Sequence, residues 1–169
     1  TTCDVGNISL TSGNTIRMLQ EIESAMDRLK SMHCVTLGGD HSITLGILRS
    51  LAKRYSNIAV LHFDAHCDTW DNHFGEPIGH GTWLYNAICE KLIDPTHTTS
   101  IGIRSPADAT SREFLNKCGG RTFSAQRALK WSRHHQPPGF GLSCRCWPVT
   151  PDKQRPQRFH RVHRCAATV

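Results

Sequence analysis

Asp64, His66 and Asp68 alternate in the run Phe63-Asp64-Ala65-His66-Cys67-Asp68, directly after an apolar stretch. Carboxylates alternating with imidazole are ligands for a divalent cation. In extended backbone, side chains two residues apart point the same way at about 6.6 Å spacing, so these three are expected to rim one pocket while Cys67 faces away. His41, in Gly38-Gly39-Asp40-His41-Ser42, ends the preceding apolar run and is expected to converge on the same crevice if the two strands are neighbours. Such a set, without thiolate, favours a harder ion such as manganese and weakens the case for zinc. Two ions roughly 3.5–4 Å apart can share a bridging carboxylate and activate one water between them. An aspartate after a strand often only caps the next helix, and a lone histidine is usually structural. The second motif, one strand-helix unit upstream, tips the reading towards metal.

The elements that must position these residues follow from hydrophobic periodicity. Ile16, Leu19, Ile22, Met26 and Leu29 recur at helical steps over Thr15 to Lys30, and Leu45, Leu48 and Leu51 do so over Ser42 to Arg54. Cys34 to Leu37, ended by Gly38-Gly39, reads as a short strand. Ile58 to Phe63 reads as a strand buried on both faces. Thr82 to Lys91 reads as a helix, Thr98 to Ile103 as a strand, and Pro106 to Leu115 as a helix with Ser105 as its N-cap. Arg121 to Ser124 is a further strand candidate. Strands alternating with helices imply an α/β fold with a parallel sheet, and its site belongs beyond the carboxyl ends of the strands.

Taken in order, Gly38-Gly39-Asp40-His41-Ser42, Phe63-Asp64-Ala65-His66-Cys67-Asp68 and His80-Gly81-Thr82 resemble successive signatures of the ureohydrolases, the arginase and agmatinase family. The likeness runs from about Asp4 to Leu129, and the His-Gly-Thr form is more like agmatinase than arginase. It implies a truncated three-layer α/β/α sandwich, arginase/deacetylase-like, around a mainly parallel sheet. It implies Mn2+ as cofactor, with His41 and Asp68 on one ion, His66 on the other and Asp64 bridging. Asp40 would orient His41, and His80 would position substrate or move protons. Trp70, Asp71 and Asn72 would line the entrance. The implied reaction is hydrolysis of a guanidino compound such as agmatine, in which an activated water attacks the guanidinium carbon and urea leaves with an amine. A guanidino acid, or a proclavaminate-type substrate, is the alternative. The family also draws two aspartates from a later Asp-x-Asp and a still later glutamate. No Asp-x-Asp follows Asp68 here, and beyond Asp108 the only acids are Glu113 and Asp152. The chain alone is therefore expected to hydrolyse little and to bind at best one ion weakly. A non-catalytic homologue that acts by binding a partner is the competing reading.

Composition divides the chain. Residues 1–116 hold 9 Lys and Arg against 13 acids, whereas residues 117–169 hold 11 Lys and Arg against Asp152 alone. The reading is a partial ureohydrolase domain over 1–129 and a basic tail over 130–169, non-native or disordered, rich in Arg, Pro, His and Cys. In that tail Cys144, Cys146, His160, His163 and Cys165 have spacings unlike those of zinc fingers. Basic residues among Trp131, Phe140, Trp147 and Phe159 invite nucleic acid, but no recognised module surrounds them. The chain opens Thr1-Thr2-Cys3 without Met, so preceding sequence is expected and a targeting segment stays open. Scattered cysteines in apolar runs suggest a reducing, cytoplasmic setting. No apolar run approaches the roughly 18 residues of a membrane span. A small guanidino substrate and a homo-oligomeric intact protein complete the expectations.

Overall fold

The computed structural model describes residues 3–29 and 31–134, with the backbone alone at 132–134. The residues beyond 134, which include most of the basic tail, lie outside that description.

Helix α1 (Thr15–Arg28) begins at Asn14, whose side chain accepts the Arg17 N–H at 2.9 Å. Helix α2 spans Ile43–Ala52. The two pack face to face, Leu19, Ile22 and Met26 against Leu45, Leu48 and Leu51. Gly46 permits the approach, since a Cβ there would lie 2.9 Å from the Leu19 carbonyl oxygen. Leu19, Leu45 and Leu84 are fully buried. Truncating such a leucine to alanine costs about 2–5 kcal/mol. Ile16, expected on the same stripe as Leu19, stays exposed in the first turn of α1.

Strands β1 (Val60–Phe63), β2 (Thr98–Ile103) and β3 (Arg121–Ser124) form a parallel sheet in that order, with Phe63 beside Ile101 and Ile101 beside Phe123. Helix α3 (Trp83–Cys89) and a 3-10 turn (Pro95–His97) link β1 to β2, α4 (Ala109–Lys117) links β2 to β3, and α5 (Ala125–His134) follows. Helix α5 thus continues past Leu129.

Three expectations are corrected. The run Cys34 to Leu37 joins no ladder among the described residues, and Val35 and Leu37 are exposed. Strand propensity without a paired neighbour does not make a strand. Strand β1 is not buried on both faces: His62 is buried, while Leu61 and Phe63 are 51% and 60% exposed. Val60, on the same side as His62, packs on the core cluster of α1, α2 and α3, which covers that side only. Finally, α4 starts three residues later than expected, because Asp108, not Ser105, accepts the Ser111 N–H as N-cap. Its second oxygen takes the Ser111 hydroxyl at 2.6 Å.

Candidate metal centre

The segment after β1 is clamped by the end of β2. The Asp64 N–H donates to the Ile101 carbonyl at 3.1 Å, and the Ala65 carbonyl accepts from Arg104 and Ser105 at 2.9 and 3.0 Å. Gly102 sits between them in a bulge with φ of 100°. A Cβ there would come within 3.0 Å of the Asp64 carbonyl oxygen. Glycine is needed for both the backbone angle and the approach.

Beyond Asp64 the chain does not stay extended. Asp64 Oδ1 captures the His66 backbone N–H at 2.7 Å and lies 3.1 Å from His66 Nδ1, which folds the segment into a turn. Asp68 then adopts φ of 53°. That left-handed backbone is uncommon outside glycine, and it is held here from three directions. The Asp68 carbonyl accepts from Leu84 and Tyr85 at the start of α3 at 3.1 and 3.3 Å. Its Oδ2 accepts the buried Trp83 indole N–H at 2.8 Å and lies 2.9 Å from His41 Nδ1. The even spacing of an extended strand therefore does not place these ligands; a turn and a left-handed residue do.

The result gathers His41, His62, Asp64 and Asp68, whose donor atoms all lie within 4.8 Å of one another. His41 Nδ1 is 3.5 Å from Asp64 Oδ2. Burial alone would raise the pKa of Asp64, but the His62 ring and the His66 N–H outweigh it and hold the carboxyl well below its ordinary range. Burial opposes ionisation of Asp68 in the same way, and His41 and His62 bring its pKa down to about 2. Both groups are carboxylates at any physiological pH. Burial would likewise lower His62, yet the two carboxylates raise it. A buried and a partly buried carboxylate facing two imidazoles form a donor set suited to a divalent cation. Cys67 is buried outside this group, so no thiolate enters it.

Of the residues singled out in the sequence, His41, Asp64 and Asp68 come together. His66 reaches Asp64 but stands at the rim with its side chain 55% exposed, outside the four-donor group. Asp40 does not hold His41; its Oδ1 accepts the Ser42 N–H at 2.8 Å and steadies the turn into α2. His41 is held by Asp68 instead. His80 Nδ1 is 3.6 Å from Asp40 Oδ2, and its ring meets His73 edge-on at 4.8 Å. Trp70 stacks on His73 at 5.5 Å, so Trp70, His73 and His80 form one aromatic row. Asn72 bonds to Asp71 and to the Gly75 N–H, a turn-forming role. His62 was missed by sequence reading, although it lies two residues before Asp64 and so on the same side of β1.

The arginase family model matches residues 1–135. The chain belongs to the arginase family. Its similarity to an agmatinase of Proteus mirabilis is 39% identity over 110 residues, 64% of this chain and 35% of that protein. A guanidinobutyrase of Pseudomonas aeruginosa is 34% identical over 137 residues, 79% of this chain and 42% of that protein. Among solved structures, proclavaminate amidino hydrolase from Streptomyces clavuligerus superposes with a TM-score of 0.69 at 32% identity, over 75% of this chain and 43% of that one. The parallel sheet with its helices is thus the fold of this hydrolase family, and the chain spans 35–43% of the length of these relatives.

Proposed function

We propose that this chain carries part of the metal site of a manganese-dependent ureohydrolase that splits an agmatine-like guanidino compound into urea and an amine. The observation that supports it is the convergence of His41, Asp64 and Asp68 at the carboxyl end of β1 in a chain of arginase-family sequence. In this reading His41 and Asp68 would hold one ion, His66 would be a ligand of a second, and Asp64 would serve both. Bound metal would supply water activated near neutral pH and stabilise the charge that develops as the guanidinium carbon is attacked. The chain's own contribution is positional. Asp64 and Asp68 present fixed negative charge towards a guanidinium that stays protonated near neutral pH. His80, at the edge of the aromatic row, would position the substrate or carry a proton to the leaving amine. A guanidino acid is the second substrate class, supported by the similarity to the guanidinobutyrase and to proclavaminate amidino hydrolase. The whole protein would be a cytoplasmic homo-oligomer; among the described residues no helix is long and apolar enough to cross a membrane.

The sequence lacks an Asp-x-Asp after Asp68, so the 169-residue chain should release little or no urea by itself. The test joins residues 1–129 to the matching carboxyl-terminal part of the Proteus mirabilis agmatinase and measures urea from agmatine, guanidinobutyrate and arginine with Mn2+. Urea from agmatine, abolished by Asp64→Ala, is expected. A soluble, manganese-loaded chimera that releases none, or that prefers arginine, would overturn the assignment.

A further inference from the structure

We propose that Trp70 and His73 are positioning residues for His80, and that the tight hairpin after Asn72 serves to hold the His73 ring against it. The inference rests on the proposed function, in which His80 handles the substrate, and names what fixes that imidazole.

Polar contacts do little to hold His80. Its side chain is 57% exposed, and its Nδ1 stands 3.6 Å from Asp40 Oδ2, itself on a side chain 49% exposed. That separation is long for a hydrogen bond. Keeping an exposed imidazole in one rotamer costs entropy that neighbouring contacts must offset. The neighbour present is the His73 ring, which meets His80 edge-on at 4.8 Å.

His73 is fixed in turn by its backbone. Its N–H donates to the Glu76 carbonyl at 2.8 Å, and its carbonyl accepts from the Glu76 N–H at 3.1 Å, closing a hairpin over Phe74 and Gly75. These two residues have φ of 55° and 86°, the left-handed pair that so short a hairpin favours. Glycine adopts such an angle freely, whereas phenylalanine does so at a cost. Burial does not offset that cost, because Phe74 is 96% exposed. Its ring instead touches His73 at 4.5 Å, and Asn72 Oδ1 braces the turn by accepting the Gly75 N–H. The hairpin thereby delivers the His73 ring, stacked on the Trp70 indole at 5.5 Å with the planes 12° apart.

Trp70 anchors this row to the segment that carries His80. Its N–H donates to the Gly81 carbonyl at 3.2 Å, and a Cβ at Gly81 would collide with the Cε3–Cζ3 edge of the indole. Position 81 must be glycine for that edge to seat. The Thr82 hydroxyl accepts the Gly79 N–H at 2.9 Å and closes the turn on the other side of His80. The backbone at His80 is thus held through both neighbours, while His73 orients the ring.

Imidazole ring-proton spectra of the complete 169-residue chain test the positioning. His73→Ala should collapse the ring-current displacement of the His80 Hε1 signal towards the shift of a free histidine. His73→Phe should restore most of it, and the His97 signal should stay in place. Should His73→Ala fail to fold, cross-relaxation between the His73 and His80 rings of the unaltered chain decides, and its absence overturns the inference. The chimera described above supplies a second readout. There His73→Ala should lower kcat at unchanged manganese loading, and His73→Phe should recover it. Adding His73→Ala to His80→Ala should cost nothing further, since a residue that acts through His80 has no effect without it. His80 signals that ignore His73→Ala, or effects that add in the double variant, overturn the inference. An inactive chimera overturns the proposed reaction instead, and the His80 signals then decide the positioning by themselves.

Discussion

Replacing Trp83 with phenylalanine probes the scaffold of the centre. The indole is 2% exposed, and its N–H donates to Asp68 Oδ2 at 2.8 Å. Phenylalanine keeps an aromatic ring against His41 and His62 but has no donor. A hydrogen bond to a charged acceptor is worth about 1.5–3 kcal/mol. The smaller ring adds about 1–2 kcal/mol for the space it leaves. Trp83→Phe should therefore cost about 2.5–5 kcal/mol, a large part of the roughly 5–15 kcal/mol typical of a folded domain. Urea unfolding followed by circular dichroism measures it, with Asp68→Asn and the double variant closing a thermodynamic cycle. A neutral amide weakens the bond by about 1 kcal/mol relative to carboxylate, so coupling of about that size is expected. A cost below about 1 kcal/mol with no coupling would refute the view that the indole holds Asp68 in its left-handed conformation.

Two further perturbations test how the parts around the centre are held. Gly102→Ala places a methyl at an unfavourable backbone angle beside the Asp64 carbonyl. It should cost about 1–3 kcal/mol in urea unfolding and weaken metal binding; unchanged stability would mean that the clamp between β2 and Asp64 is loose. Glu21 accepts both the hydroxyl and the N–H of Thr11 at 2.7 Å, and these bonds lower its pKa below the ordinary 4.5. A depressed carboxyl pKa stabilises the fold above the unfolded value and loses that contribution as pH falls through the folded one. Thr11→Val should thus destabilise the chain near pH 7 and converge with the parent below the folded pKa of Glu21; a gap that persists unchanged at low pH would show that Thr11 acts by packing alone.

Much of this protein was legible in its sequence, and the reason is local. Apolar spacing marks α1 and α2 because a helix must bury one face wherever it packs. The first two motifs carry His41, Asp64 and Asp68, which come together because His41 lies just before α2 and the two aspartates lie between the end of β1 and the start of α3. Tertiary structure alone decided the remainder. Cys34 to Leu37 has strand composition but no ladder, since pairing depends on a neighbour and not on propensity. Asp64, His66 and Asp68 do not form the even row that their spacing suggested. The Asp64 side chain takes the His66 N–H, and Asp68 turns left-handed under Trp83 and α3. Those contacts leave His66 at the rim and bring forward His62, which looks like one more residue of an apolar strand until Ser100 is seen behind it. The sequence by itself determined which chemistry was present; only the packing of β2 and α3 against the turn after β1 decided which nitrogens face the carboxylates, because hydrogen bonds between distant segments carry no local pattern.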